Sequence, residues 1–329
     1  METLLLRESE ALTRAAELLK RGEVVAFKTE TVYGLGANAF DKRAVHKIFE
    51  AKGRPLDNPL IAHIADISMW KSLAREIGGG ALSLAERFWP GPLTIILPKA
   101  MFIPDEVTAG LDTIAARMPR SPFALELIRE CGFPIAAPSA NLSGKPSPTT
   151  AAAVLEDMDG RIPLIADGGV CEVGVESTVI SLVDEPKVLR PGAVTLEQLR
   201  EFIPDIVLAD SIAGKPMSPG MKYRHYAPLA KLVPASGTAD EQAAFLCTQY
   251  DITPNAIVIC SEETAAKLSS RRHIILGSRN SPAVILSNLF ESLREADRRG
   301  AETIFMETFG ADGAFLAFRN RVQRAAGEN

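Results

Sequence analysis

Short apolar runs alternate with polar, turn-forming segments through the first 209 residues of the chain. Apolar runs of this length between turn signals are typical of buried strands. The strands predicted in this way are 23–27, 93–97, 114–118, 135–137, 162–166, 178–183 and 187–189. Because strands outnumber helices and some follow each other closely, the pattern favours a mixed α+β domain with a twisted sheet.

Helices in the same region are predicted from capping residues and helical spacing. Ser9 can cap a first helix, because its hydroxyl can accept a hydrogen bond from a free backbone N–H. Asp41 can cap a second helix, and Gly53 can end it in the left-handed conformation that glycine tolerates. Thr195 and Gln198 form a capping box that opens a third helix running to about residue 203.

The pattern of predicted elements changes in the second half of the chain. Residues 210–229 combine glycines and prolines with basic side chains, which predicts a linker. Beyond the linker, strands are predicted at 231–233, 256–260, 273–276 and 303–306, and helices at about 239–250, 262–270, 282–299 and 312–326. This alternation is typical of a small, parallel, Rossmann-like α/β sheet. The predicted domains are therefore 1–209 and 230–329, joined by the linker.

The composition is that of an ordinary globular chain of 329 residues, 47% hydrophobic and 23% charged. At this length two domains can each form a core. No apolar run approaches the roughly 20 residues of a membrane span, and Arg7, Glu8 and Glu10 interrupt any signal-peptide core. Four cysteines without a C-x-x-C pair, and only four histidines, do not favour a zinc site; we expect a cytoplasmic protein.

Charge is distributed unevenly between the two halves. Residues 1–210 hold 22 Lys and Arg against 29 Asp and Glu, a net of −7, and residues 211–329 hold 14 against 12, a net of +2. Neither half has the strongly basic character of a dedicated nucleic-acid-binding protein. An anionic ligand must therefore be met by local cations.

Three polar loops contain most of the candidate catalytic and binding residues. Residues 28–36 read KTETVYGLG and follow a predicted strand, residues 52–60 read KGRPLDNPL and follow a helix, and residues 138–141 read PSAN. Lysine offers phosphate oxygens a point charge, and arginine offers them a planar fork. Hydroxyls at a strand end facing a Lys-Gly-Arg loop would therefore suit a polyphosphate and a small polar substrate.

Each of these groups also has a structural alternative. Lys52 and Arg54 could be a solvated helix end, where cations suit the helix dipole. Thr29, Thr31 and Tyr33 share one face if the strand continues through them, and could be no more than an amphipathic strand end.

His63 and Arg117 lie within apolar runs. A lone histidine in such a run is more often a core residue with satisfied hydrogen bonds than a ligand-binding group. A cation in an apolar strand must find an anion, which is either a ligand or the partner in a structural ion pair. The Ser139-x-Asn141 spacing is by itself a weak signal.

Several familiar catalytic motifs are missing from the sequence. There is no Walker A motif, no H-E-x-x-H and no G-x-S-x-G, and no Cys–His pair stands out. The candidate site therefore indicates electrostatics and positioning of substrates, not a protein nucleophile.

The segments 29–36, 52–55, 115–119 and 139–141 together resemble the YrdC-like domain of threonylcarbamoyl-AMP synthases. The basic linker and the second α/β domain resemble the long, two-domain form of that family. The resemblance implies a nucleotidyltransferase that converts L-threonine, bicarbonate and ATP to threonylcarbamoyl-AMP and pyrophosphate. It also implies magnesium with the ATP, no organic cofactor, and a separate complex that transfers the product to adenosine beside the anticodon of tRNA.

Matching the motifs residue by residue gives the sites that this resemblance implies. Lys52 and Arg54 would be catalytic. The ATP site would comprise Lys52, Arg54, Asn58, Thr113, Ser139, Asn141, Ser147, Arg190 and Tyr226. The L-threonine site would comprise Thr31, His63, Arg117, the backbone at Ala137, and Ser177. Lys28 stands where the family more often has proline, and we expect the linker near Tyr226 to act as a lid over the nucleotide.

Two other functions stay open at this point. One is a non-catalytic RNA-binding module, which the net charge of −7 in residues 1–210 argues against. The other is a related carbamoyl-transfer or adenylate-forming enzyme with a different substrate, because the residues alone do not distinguish threonine from serine. Direct tRNA binding and the oligomeric state are likewise not determined by the sequence.

Overall fold

The structure is a computed structural model that describes residues 2–209 and 225–327. Most of the predicted linker and lid, 210–224, lies outside the described residues. The described residues form two compact units. One comprises 2–143, 147–172 and 176–209, and the other comprises 144–146, 173–175 and 225–327.

The first unit is built on one large mixed sheet. Its strands are β1 (Leu4–Arg7), β2 (Val25–Lys28), β3 (Tyr33–Asn38), β4 (Ile61–His63), β5 (Leu93–Pro98), β6 (Thr113–Arg117), β7 (Ile135–Ala136), β8 (Leu164–Asp167), β9 (Thr178–Ser181), β10 (Lys187–Arg190) and β11 (Val207–Leu208). Their order across the sheet is β1-β8-β2-β3-β7-β4-β6-β5-β9-β10-β11. Parallel and antiparallel pairs both occur, which confirms the predicted mixed sheet.

Helices cover this sheet on both faces. They are α1 (Glu8–Lys20), α2 (Lys42–Lys52), α3 (Ile67–Leu73), α4 (Gly79–Phe88), α5 (Asp105–Thr108), α6 (Pro122–Cys131), α7 (Ala151–Met158) and α8 (Leu196–Arg200). The alternation along β2 shows the two faces: Val25 and Phe27 pack with α1 and α6, whereas Ala26 belongs to the apolar cluster that contains α2. In that second cluster the rings of Trp70 and Trp89 pack edge to face, 4.6 Å between centroids.

The caps predicted for two helices are confirmed. The Asp41 carboxylate accepts a hydrogen bond from Arg43 N at 2.9 Å at the start of α2, and Gly53 ends the helix with φ of 59°. The Thr195 and Gln198 capping box opens α8. Because α2 is fixed at both ends, the position of its last residue, Lys52, is fixed too.

The start of the chain differs from the prediction. Residues 4–7 form β1, which pairs in parallel with β8, and α1 begins directly after it at Glu8. Ser9 is therefore inside the helix and does not cap it. The first turn instead carries Glu8 and Glu10, whose negative charges suit the helix N-terminus.

The second unit is a smaller α/β domain. Its strands are β12 (Lys231–Pro234), β13 (Ala256–Cys260), β14 (His273–Ile275) and β15 (Thr303–Met306), and its helices are α9 (Ala239–Ile252), α10 (Glu262–Ala265), α11 (Pro282–Arg298) and α12 (Gly313–Ala326). The strands form a parallel sheet in the order β12-β15-β13-β14, which confirms the predicted Rossmann-like class.

Within this unit α10 is shorter than predicted. It ends at Ala265, and after Ala266 the backbone N–H groups of Lys267 and Leu268 bond three residues back and not four. In the described part of the chain, no helix combines the length and apolar character needed to cross a bilayer.

Candidate active site

Lys52 joins two of the three polar loops. Its side chain is buried at the end of α2, with 2% of the residue exposed. Its Nζ donates to the carbonyl oxygens of Ser139 and Asn141, each at 2.5 Å. The alternative of a solvated helix end is therefore wrong for Lys52. The buried ammonium brings positive charge and the 138–141 loop to one place.

The loop after α2 holds an unpaired polar group. Arg54 Nη2 donates to the carbonyls of Asn58 and Pro59, both at 3.2 Å, and so braces the loop. The Asn58 side chain is buried, and within the described residues neither its nitrogen nor its oxygen has a hydrogen-bond partner. Because buried polar groups are normally paired, this amide points to a ligand.

Thr113 is the first residue of β6, the strand that pairs with β4, and β4 directly follows this loop. The parallel β4–β6 pairing sets Ile61 level with Ala115. If the same register is extended by two residues towards the start of both strands, Thr113 lies level with Pro59. Arg117 ends the same strand, about 13 Å away at about 3.3 Å per residue.

The segment between β2 and β3 is a turn. Thr29 Oγ1 donates to Val32 O at 2.7 Å, and Thr31 N donates to Thr29 Oγ1 at 3.2 Å. The strand therefore does not continue through Thr29 and Thr31, and the condition under which these residues would share a strand face with Tyr33 is not met. A threonine hydroxyl can replace a ladder hydrogen bond locally, and this one closes the hairpin. Thr31 is nevertheless fully buried.

Arg117 is held by three partners at the end of β6. Its Nη2 lies 2.7 Å from Glu30 Oε1, its Nη1 donates to Thr31 Oγ1 at 2.8 Å, and its Nε donates to Gly91 O at 3.1 Å. The ion pair considered as an alternative is therefore present, with both side chains almost fully buried. Sequence reasoning did not select Glu30, although a cation in an apolar strand signalled an anion nearby.

His63 ends β4, level with Arg117 in the adjacent strand. Burial and the neighbouring Arg117 charge lower the pKa of His63 to about 3. The imidazole is therefore neutral near pH 7. An uncharged ring beside the guanidinium can offer a hydrogen bond without adding a second positive charge.

Ser177 connects the two predicted ligand sets. Its hydroxyl lies 2.7 Å from Thr94 Oγ1, and Arg190 donates to Ser177 through Nε to the carbonyl at 3.1 Å and through Nη2 to Oγ at 3.2 Å. The residue before it, Glu176, accepts a hydrogen bond from Ser147 Oγ at 2.5 Å. No local pattern points to Thr94 or Glu176, because each lies in an ordinary apolar or polar run.

Backbone contacts join these groups into one region of the first unit. Ala140 N donates to Tyr33 O at 2.8 Å, which ties the 138–141 loop to the β2–β3 hairpin. Ala137 N donates to Ile61 O at 2.9 Å, which ties the same segment to β4. The region thus offers fixed cations, buried hydroxyls and an unpaired amide. Such a set can hold a polyphosphate and an amino acid without supplying a nucleophile.

Two further predicted features make contacts of their own. Tyr226 belongs to the second unit, where its ring stacks on Phe290 at 5.2 Å and the Arg321 guanidinium lies 5.4 Å from its centroid. Its contact with a nucleotide stays a prediction. Lys28 forms an ion pair with Glu172 at 2.8 Å, so this extra cation is neutralised beside the hairpin.

Comparison with known protein families identifies both halves of the chain. Residues 17–192 match the Sua5/YciO/YrdC family, described as telomere recombination. Residues 194–327 match the family described as threonylcarbamoyl-AMP synthase, C-terminal domain.

Similar proteins cover nearly the whole length. The chain is 49% identical to a threonylcarbamoyl-AMP synthase of Bacillus subtilis over 96% of this chain and 93% of that protein. It is 46% identical to one of Pyrococcus abyssi over 95% and 93%. The crystal structure of P. abyssi Sua5 complexed with L-threonine superposes with a TM-score of 0.93 at 44% identity, covering 99% of this chain and 98% of that one.

Proposed function

The chain belongs to the threonylcarbamoyl-AMP synthase family, and from that premise we propose that it makes threonylcarbamoyl-AMP and pyrophosphate from L-threonine, bicarbonate and ATP. The observation that carries the proposal is the buried Lys52 ammonium, which donates to the 138–141 loop. The buried amide of Asn58, six residues further along the chain, has no hydrogen-bond partner within the described residues. A relative of high identity is described as complexed with L-threonine, which supports threonine as the amino acid.

The nucleotide is proposed to lie against the loop after α2. Lys52 and Arg54 supply positive charge there, and the Asn58 amide supplies a donor and an acceptor. Fixed cations aimed at a reacting phosphate lower the barrier because they need no reorganisation when charge develops. We expect ATP to enter as its magnesium complex, with the metal carried on the phosphates; among the described residues no group of three or more His, Cys, Asp and Glu could hold one.

L-threonine is proposed to lie near Thr31, His63 and Arg117. The Arg117 guanidinium can donate hydrogen bonds to Glu30 and to a substrate carboxylate at the same time, since arginine carries five N–H donors. The Thr31 hydroxyl and the neutral His63 ring supply uncharged hydrogen-bonding groups. The pair with Glu30 fixes the guanidinium before the substrate arrives.

The proposed chemistry has two steps. The amine of threonine combines with bicarbonate to give a carbamate and water. A carbamate oxygen then attacks the α-phosphorus, the bond from that phosphorus to the bridging oxygen breaks, and pyrophosphate leaves with the electron pair. The carbamate is already an anion, so this second step needs no general base. What it needs is positive charge between two approaching anions, which Lys52 and Arg54 supply.

The product is a mixed anhydride and hydrolyses readily. We propose that it passes to a separate enzyme complex that transfers the threonylcarbamoyl group to tRNA in the cytoplasm. This agrees with a first unit of net negative charge, which does not favour direct tRNA binding.

Pyrophosphate release tests the proposal. We expect release from ATP only when L-threonine and bicarbonate are both present, with L-serine as the comparison amino acid. Equal release in bicarbonate-free buffer would exclude the carbamate route. Release with serine at the rate seen with threonine would exclude threonine selectivity.

A further inference from the structure

The second unit contains a cavity of about 690 Å³ that the proposed reaction does not use. It lies at the carboxyl ends of β12 and β15, because its lining includes Pro234, the last residue of β12, and Glu307, the residue after β15. In open parallel sheets the crevice outside the carboxyl ends of the strands is where ligands bind. The volume is within the usual range for small-molecule sites, about 300–1,000 Å³.

One wall of the cavity presents a guanidinium held in place. Arg279 forms an ion pair with Glu307 and donates to Ser261 Oγ at 3.2 Å and to Thr264 Oγ1 at 2.8 Å. Glu307 is itself buried and accepts from Ser261 N at 2.7 Å. Arg279 Nη1 makes no hydrogen bond within the described residues, and 28% of the side chain is exposed. The direction of the guanidinium is therefore fixed, while the two N–H groups of Nη1 stay available to a ligand.

Another part of the lining is one face of α12. Phe315, Arg319 and Gln323 follow each other at intervals of four residues, so they share that face. Arg319 is exposed and has no ion-pair partner in the described part of the chain. Phe309 stacks on Phe315 with 4.9 Å between centroids and adds a flat apolar surface.

The charges around the cavity favour an anion. Its charged lining residues are Arg279, Arg319 and Glu307, and the one carboxylate among them is already committed to Arg279 and Ser261 N. Two guanidinium groups beside an aromatic surface suit a phosphate joined to a planar ring. The turn after β12 reads Ala235-Ser236-Gly237, so the glycine-rich fingerprint of a dinucleotide site is missing.

We propose that this cavity is a second ligand site, which binds a small phosphate-bearing molecule of mononucleotide size. Arg279 and Arg319 hold the phosphate, and the planar group lies against the Phe309 and Phe315 surface. The inference does not depend on the reaction proposed for the first unit.

Equilibrium dialysis of the full chain with radiolabelled AMP tests this site. The Arg54→Ala background weakens any nucleotide binding in the first unit, and Arg319→Glu is then added to it. Lys231→Glu in the same background is the matched control, because it makes the same change of charge at an exposed residue at the other end of β12. Unlabelled phosphate and adenosine are added separately as competitors.

We expect Arg319→Glu to remove one AMP per chain, weakening that binding at least tenfold, while Lys231→Glu leaves it unchanged. Inorganic phosphate should compete. AMP binding that survives Arg319→Glu, that falls equally with Lys231→Glu, or that is absent from the Arg54→Ala background would overturn the site. Competition by adenosine but not by phosphate would overturn the phosphate assignment. Unchanged circular dichroism spectra show that the variants are folded, and pyrophosphate release tests the first unit independently.

Discussion

Single residues carry most of the chemistry inferred for this chain, and the cations among them are held in different ways. Lys52 is buried against two backbone carbonyls, Arg117 against a carboxylate, and Arg54 against the loop it braces. A cation fixed before its ligand arrives loses little freedom on binding. Substitutions of these three residues should therefore differ in how much each lowers the stability of the fold and how much it lowers the reaction rate.

Arg54→Ala should lower kcat for pyrophosphate release by about 100-fold or more, as expected for losing a charge beside a reacting phosphate. The fold should survive, because Arg54 is partly exposed in a polar loop, where its Nη2 donates to the carbonyls of Asn58 and Pro59. Arg43→Ala is the control, since Arg43 is exposed on α2. A near-normal kcat for Arg54→Ala would show that Arg54 does not contribute to the reaction rate.

Lys52→Ala should be both slow and unstable. It leaves the carbonyls of Ser139 and Asn141 without their donor, at a cost of about 1–3 kcal/mol for each buried group. Urea unfolding measures this loss, with Lys71→Ala as the control because Lys71 is exposed on α3. A stable Lys52→Ala protein would contradict the structural part of its role.

Arg117→Lys should raise KM for L-threonine about tenfold and leave KM for ATP nearly unchanged, because lysine keeps the charge but lacks the fork that serves two carboxylates. Arg117→Ala is a poorer test, since it would strand the buried Glu30 charge and cost about 3–5 kcal/mol. Initial rates measured over a range of threonine concentrations at saturating ATP give KM for L-threonine. If KM for threonine is unchanged in Arg117→Lys, the guanidinium serves only the ion pair with Glu30.

The buried His63 gives stability a pH dependence. Its pKa of about 3 in the folded chain lies below the ordinary value of 6.5, so the unfolded chain takes up the proton first as the pH falls. The stabilisation is complete above about pH 6.5 and declines by about 1.4 kcal/mol per pH unit towards about pH 3.

Urea unfolding followed by circular dichroism at several pH values measures this effect. His63→Gln should lose about 2 kcal/mol less than the parent between pH 6.5 and pH 5, by the same linkage. His46→Gln, on the partly exposed surface of α2, is the control. Parallel curves for His63→Gln and the parent would show that His63 does not titrate in this way.

At the scale of elements, the sequence predicts best where apolar periodicity and caps agree. The bounds of β13 and β15 match the predicted 256–260 and 303–306, because both are continuous apolar runs in a buried parallel sheet. The strand β1 was missed because its alternate residues are only partly buried and its pairing with β8 spans more than 150 residues. The turn at 29–32 was missed because a threonine hydroxyl closes it.

Gly36 tests how tightly the central strands pack. A Cβ at this position of β3 would lie 2.6 Å from Ile135 Cγ2 and 2.6 Å from Phe27 Cε1. Gly36→Ala should therefore cost about 1–3 kcal/mol, as overpacking usually does. Gly80→Ala on α4 has open space and should be neutral or stabilise by up to about 1 kcal/mol. Similar unfolding midpoints for the two variants would contradict this packing.

At the scale of the molecule, composition and the change of pattern near residue 210 predicted two parts of different architecture. The two family matches also divide the chain in two, at 17–192 and 194–327. The predicted limits at 209 and 230 stay predictions. The candidate site was predicted mainly through the motif resemblance, and the long-range partners Glu30, Thr94 and Glu176 were not. No local pattern specifies which side chain a buried Arg117, Ser177 or Ser147 will meet, because those contacts depend on tertiary packing.

The edge-to-face pair of Trp70 and Trp89 gives this chain a built-in optical probe. These are its two tryptophans, both in the first unit, and the Trp89 indole donates to Leu93 O at 2.6 Å. Light absorbed at the red edge of the indole band therefore excites the first unit alone. Substrate binding in the first unit should therefore shift the tryptophan emission. Ligand binding in the cavity of the second unit should leave that emission unchanged.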